Sequence, residues 1–472
     1  MLGGLTARRI RSMLGARVAV VAVTATSLLG SAPTWAHDST GPGASGSPPG
    51  DRPSRGLVFT GLEPGRPGGP CDPRGPEQPL LAIVDGERFL GCSSGPDPAP
   101  PGTPLGSRPT TAELRQLAAP VEADVPCIGD GTSGYRVQAI YAYPAGQPNR
   151  YGEVLPLIRR WAASNVDAVF SASAAQTLGG RRVRFVTDAS CQVVVLPVQV
   201  SASGDDTFGN TIVELRQRGF GRSDRKYLVW MDAPGPYCGI AQQYADDSVG
   251  AVNRNNGNPS VLGMVGRIDA PCWGSAGTPF EAHELMHLLG GVQGSAPHGT
   301  GSPELAGGHC TDEADVMCYD DDGAGPVSIT WGCPGQNERL FDCGHDDYFH
   351  TAPAPGSYLA GHWNPAGSRF LEQVPYQGPG KTVRLRASRS RVPAGRKIRL
   401  AASITPCVDA TERRIALRWR SRMWIRSTGP RCAATFAVRV DARTTFRAVS
   451  PAGGTDTTRA VSRPVTVRTV GP

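Results

Sequence analysis

His283-Glu284-Leu285-Met286-His287-Leu288-Leu289-Gly290 is the stretch from which the rest of the chain is read. Residues four apart on an α-helix lie about one turn apart on the same face. His283 and His287 therefore present two imidazoles to one point, an arrangement that suits Zn2+. Glu284 adjoins the first histidine and is expected to face the same cleft, as a base for a metal-activated water rather than as a ligand. Leu285, Met286, Leu288 and Leu289 supply the core face and leave the histidines no packing task. Thr278 or Pro279 opens the helix, and the glycine pair at 290–291 stops it.

Upstream, Tyr135–Tyr143, Val183–Val186, Val193–Val200, Lys226–Met231 and Val261–Ile268 read as strands, and Leu155–Gln176 and Thr207–Arg218 as helices. Strands alternating with helices predict an α/β domain with crossover connections. Residues 294–380 are loop-rich and dense in Cys, His, Asp and Trp, as expected of a segment that completes a site begun by the helix. Beyond 381 the texture changes to short strands at regular spacing: Val383–Ala387, Lys397–Ile404, Ile415–Trp419, Ala433–Val440, Thr444–Val449 and Val465–Thr469. That rhythm predicts an all-β immunoglobulin-like sandwich.

Asp315-Val316-Met317-Cys318-Tyr319 lies about 30 residues after the histidine pair. With His283, Glu284, His287 and Gly290 it resembles the metzincin family of zinc metallopeptidases, whose HExxHxxGxxH motif is followed by a tight turn carrying a methionine. The resemblance covers about residues 127–320. It implies a mixed sheet plus active-site helix, Met317 beneath the metal and Tyr319 near it. More closely, the run from His283 through His309-Cys310-Thr311-Asp312-Glu313 and Asp346-Asp347-Tyr348-Phe349 to His362-Trp363-Asn364 is similar to a group of secreted proteins of high-GC Gram-positive bacteria. One position departs: Gln293 stands where the family carries its third ligand, and an amide is a poor ligand for zinc. His298, His309 and Asp312 are the other candidates. His309 is preferred, because it precedes the methionine turn by eight residues and adjoins the expected Cys310–Cys318 staple. The carboxylate clusters Asp320-Asp321-Asp322 and Asp342 with Asp346-Asp347 are candidate Ca2+ sites.

The ends and the cysteines place the protein. Four arginines, then the apolar run Val18–Leu29, then Thr34-Trp35-Ala36, read as a signal peptide over 1–36, and no segment is long enough to span a bilayer. Twelve cysteines behind such a leader read as disulfides of an exported protein. Sequence-near pairing gives Cys71–Cys92, Cys127–Cys191, Cys238–Cys272, Cys310–Cys318, Cys333–Cys343 and Cys407–Cys432. Residues 37–56 and 93–110 are rich in Pro, Gly and Ser and read as linkers. They flank a small unit closed by Cys71 and Cys92, either a structural unit or a propeptide, with short strand-like runs at Leu57–Phe59, Leu80–Val84 and Arg88–Leu90. The expected organisation is signal 1–36, linker region 37–120, metalloprotease-like domain 121–380 and basic β-sandwich 381–472.

The net charge of +7 is uneven: residues 381–472 hold 21 Lys or Arg against four acids, which leaves 37–380 acidic. An arginine-rich sandwich face suits an anionic cell-wall polymer, while no groove-reading motif points to sequence-specific nucleic-acid binding. Together these readings predict a secreted zinc endopeptidase acting on protein or peptide substrates. Its metal is held by His283, His287 and His309, its base is Glu284, and Tyr319 steadies the oxyanion. The alternative, favoured by Gln293, is an inactive zinc-bearing cell-surface protein.

Overall fold

Tyr227–Met231 is an unbroken run of apolar and aromatic residues, and strands of that kind need cover on both faces. The computed structural model describes residues 50–66, 68–72, 80–117, 124–300, 308–312, 314–319, 329–330, 333, 335–376, 382–405, 414–428, 432–450 and 460–470. Its strands up to residue 269 are β1 (Leu62–Glu63), β2 (Leu81–Asp85), β3 (Arg88–Asp97), β4 (Arg136–Pro144), β5 (Gly180–Val183), β6 (Val195–Val200), β7 (Arg225–Met231), β8 (Gly239–Gln242) and β9 (Met264–Asp269). Eight of them form one mixed sheet in the order β1-β2-β3-β8-β9-β7-β4-β6. β6, β4, β7 and β9 run parallel, and β8 and β3 are antiparallel to their neighbours. Every residue of β7 and β9 is buried. β5 pairs instead with β10 (Leu371–Val374).

Among the described residues the α-helices longer than one turn are α1 (Thr111–Leu117), α2 (Tyr151–Trp161), α3 (Ala168–Gln176), α4 (Phe208–Gln217) and α5 (Phe280–Leu288). α2 begins four residues before the expected start, because the Asn149 side chain accepts a hydrogen bond from the Tyr151 amide and organises the entry turn. Thr207 caps α4 through Oγ1, which accepts from Asn210 N at 3.1 Å. α2, α3 and α5 share one apolar layer with Trp230 and Ile268 of the sheet. α4 packs in the other, where Phe208, Ile212 and Leu215 meet Ile83, Ile140 and Val229. Gly266 lets α5 approach β9, since a Cβ there would lie 3.2 Å from Leu288 Cδ1. Gly290 takes φ +80°, a left-handed conformation that favours glycine, and ends the helix.

Two expectations are corrected. Leu57–Phe59 is not a strand of the sheet: Leu57 makes a single bridge to Arg52. The stretch 93–110, read as a linker, is no linker at its start, because β3 continues to Asp97, with Ser93 and Asp97 fully buried. Poverty in apolar side chains says nothing of backbone pairing, and here the ladder to β8 and a polar site provide the burial.

Beyond residue 381, Thr382–Ala387, Arg396–Thr405 and Ala433–Val440 form one antiparallel sheet, buried at alternate positions. A second sheet contains Arg414–Trp419, Arg422–Ser427, Thr444–Ser450 and Val465–Val470. Leu400 and Phe436 of the first and Leu417, Phe446 and Val467 of the second belong to one core, separate from the two layers above. The molecule is thus sheet-rich with few helices. Among the described residues no helix is long and apolar enough to cross a membrane. Between described residues the disulfides are Cys71–Cys92, Cys127–Cys191, Cys238–Cys272, Cys310–Cys318 and Cys333–Cys343, each an expected pair. Cys432 is disulfide-bonded, and Cys407 lies outside the described residues, as do the signal segment and Asp320–Asp322.

Candidate metal centre

α5 is buried along its whole length, and its two histidines face a common point. His283 Nε2 and His287 Nε2 are 2.9 Å apart. Each lies 3.2 Å from Nε2 of His309. His309 is held by its neighbours: its carbonyl accepts from Thr300 N at 2.9 Å, and Cys310 N donates to the Met317 carbonyl at 3.0 Å beside the Cys310–Cys318 bridge. A fourth group completes the cluster. Asp97, at the end of β3, puts Oδ1 3.1 Å from Nε2 of His283 and of His309, and 3.9 Å from that of His287. The Tyr319 hydroxyl contacts the same Oδ1 and lies 2.8 Å from His309 Nε2.

The outward nitrogens fix the tautomers of the α5 pair. A carbonyl only accepts, so the contact of His283 Nδ1 with Val316 O at 2.8 Å puts the proton on Nδ1. Gln243 spends its amide N–H groups on the carbonyls of Gly291 and Val292, so its Oε1 accepts from His287 Nδ1 at 2.8 Å. Burial pushes the His287 pKa down to about 3, which keeps that ring neutral. With both Nδ1 atoms engaged outward, the two Nε2 atoms turn towards each other, with a carboxylate oxygen beside them. Such a convergence of potential ligand atoms could hold a metal ion. Three imidazoles and a carboxylate suit a borderline ion such as Zn2+.

Glu284 is fully buried next to this cluster, and neither of its carboxylate oxygens has a hydrogen-bond partner; the same holds for Oδ2 of Asp97. Burial, then the adjacent Asp97 carboxylate, pushes Glu284 well above the usual carboxylate range. Gly239 makes room for the pair, since a Cβ there would overlap Glu284 Oε1 and come 3.1 Å from Asp97 Oδ2. Met317 is buried in the turn after Asp315, whose Oδ1 accepts from Met317 N at 2.8 Å.

The remaining candidates lie elsewhere. Gln293 is buried outside the cluster, its Oε1 accepting from Asp246 N and its Nε2 donating to Gly290 O, both at 2.9 Å. His298 and Asp312 join Asp346 and Asp347 in a second group whose ligand atoms lie within 4.8 Å of one another. Asp342 is not in that group: it accepts backbone N–H bonds from Asp346, Asp347, Tyr348 and Phe349 and so organises the loop. Trp363 Nε1 donates to Leu289 O at 2.7 Å and so caps the last turn of α5.

Two participants escaped the sequence reading, Asp97 and Gln243. The signal for Asp97 was slight: it is the sole acid between Glu87 and Glu113.

No protein-family model and no curated protein matches the chain. Among solved structures, OgpA from Akkermansia muciniphila aligns at 10% identity and TM-score 0.26, covering 75% of this chain and 98% of the other. Its inactive form in complex with the O-glycopeptide glycodrosocin aligns at 10% identity and TM-score 0.23, covering 75% and 97%. The sulfur carrier SoxY from Chlorobium limicola f thiosulfatophilum aligns at 14% identity and TM-score 0.15, covering 19% and 79%. At such scores no shared fold is established, and nothing is carried over from these proteins.

Proposed function

We propose that the chain is an exported zinc metalloendopeptidase of metzincin type, with its catalytic groups in residues 121–380, on a sheet that also takes in β1–β3, and an immunoglobulin-like sandwich in 381–472. The observation that carries this reading is the convergence of the Nε2 atoms of His283, His287 and His309, with Nδ1 of the first two turned outward to Val316 and Gln243. Zinc, when bound, polarises a peptide carbonyl and lowers the pKa of water. The three imidazoles would hold it. Glu284, close by and without a hydrogen-bond donor, takes a proton on its carboxylate from the attacking water and returns it to the leaving amine. Tyr319 offers its hydroxyl to the developing oxyanion. The disulfides support export into an oxidising compartment. Arg384, Arg386, Arg399 and Arg439, exposed on the first sandwich sheet, support attachment to an anionic wall polymer.

Casein or gelatin zymography tests the activity. A clearing band should vanish with 1,10-phenanthroline and in Glu284→Gln. Absence of clearing from the zinc-loaded wild type contradicts the proposal.

A further inference from the structure

The strand Arg422–Ser427 departs from the pattern of its sandwich. A strand on a packed sheet buries alternate side chains, yet all six residues here are exposed, with Met423, Trp424 and Ile425 at 49%, 43% and 54%. Three consecutive large apolar residues in water are a cost that a monomeric surface has no reason to carry.

Register shows which side chains lie together. Ile425 stands opposite Ala416, Ala416 opposite Val449 and Val449 opposite Val461, one apolar row across four strands whose two ends, Ile425 and Val461, are exposed. Two residues along, Met423 stands opposite Arg418 and Arg418 opposite Arg447, which sets exposed cations beside that row. Both rows look outward, because Leu417 and Phe446, the neighbours in sequence of Arg418 and Arg447, enter the core. At the sheet edge Trp424 stands edge-on to the buried Trp419, with ring centroids 5.1 Å apart. Residues 414–428 hold five arginines and no acid, and Asp441 is the one acid among the described residues of the sandwich.

What covers this face must be apolar and anionic at once. An added strand would lie beside Arg422–Ser427 in the plane of the sheet and leave Met423, Ile425 and Val461 as open as before. A soluble polyanion would meet the arginines and give the apolar side chains nothing. A second copy would set like charges against each other. The headgroup boundary of an anionic bilayer supplies phosphates for guanidinium groups and acyl-chain ends for apolar side chains, and tryptophan settles at that boundary.

We propose that the edge and outward face of this second sandwich sheet dock on an anionic phospholipid bilayer, with Met423, Trp424 and Ile425 entering the headgroup boundary and Arg418 and Arg447 meeting lipid phosphates. The surface is separate from the arginines of the first sheet. The metal centre takes no part, so failure of this proposal leaves the metallopeptidase reading untouched.

The test mixes the exported chain, recovered from culture medium, with vesicles of phosphatidylglycerol and phosphatidylcholine in equal parts, and with vesicles of phosphatidylcholine alone. Co-sedimentation should show binding to the first about tenfold tighter or more. Met423→Ser/Ile425→Ser and Arg418→Gln/Arg447→Gln should each weaken that binding by about tenfold or more. Circular dichroism melts check that both variants are folded. Acyl chains brominated near the headgroup should quench tryptophan emission of the wild type and leave that of Trp424→Phe unquenched. Sedimentation with neither kind of vesicle overturns the proposal. Unchanged binding by the folded serine variant overturns it too, since charge alone would then hold the chain as it would hold a wall polymer. Equal binding to both kinds of vesicle overturns the choice of an anionic surface.

Discussion

Glu284 and His309 carry the sharpest tests at the scale of single residues. Glu284 lies beside the imidazoles but outside their ligand cluster, so Glu284→Gln should keep the metal while lowering turnover by roughly 10²-fold or more. Steady-state rates and metal content of the peptide-hydrolysing form check this together, and normal turnover would assign the proton transfer to another group. His309→Ala should weaken zinc binding by about two orders of magnitude or more. Gln293→Ala should leave affinity within a few-fold yet lower stability by about 1–3 kcal/mol, because Gly290 O loses its donor and Asp246 N its acceptor. Competition titration and thermal melts separate the two effects. The histidine pair was legible because helical periodicity is local. Asp97 was not, because strand pairing brings it across 186 residues to His283 and no local pattern encodes that register.

The elements followed their patterns where a run was apolar or alternating. The sandwich strands 382–387, 396–405 and 433–440 fall within a residue of expectation, because alternation over five or more residues leaves one face to bury. β8 and β10 escaped notice: four residues each are too short to show a period. β7 holds a feature with a measurable consequence. Lys226 is buried within it, with Nζ 5.1 Å from the Phe370 ring centroid, and burial pushes its pKa well below the usual lysine range. A depressed lysine pKa means that stability is fully present above the unfolded value of about 10.4 and is lost as pH falls towards the folded value. Lys226→Met should therefore raise the melting temperature, and by more at pH 7 than at pH 10; a lower melting temperature at pH 7 would show that the ammonium is paired. Leu285, buried against the sheet on α5, should cost about 2–5 kcal/mol when cut to alanine.

Across the whole molecule, the separate core of residues 383–467 and the concentration of arginines there point to a division of labour. Residues 381–472 expressed alone should melt cooperatively and bind purified cell walls. That binding should fall steeply between about 0.1 M and 1 M salt, where the Debye length shrinks from ~10 Å to ~3 Å. Salt-resistant binding lost with Trp424, which is exposed on its strand, would replace the electrostatic account with a specific pocket. The central claim is that the imidazoles on α5 and His309 hold a metal ion, and elemental analysis of the full chain purified without chelator tests it most directly. About one zinc per chain, absent from the His283→Ala/His287→Ala variant, is the predicted result. No zinc in the wild type, or an equal amount in the double variant, would contradict it.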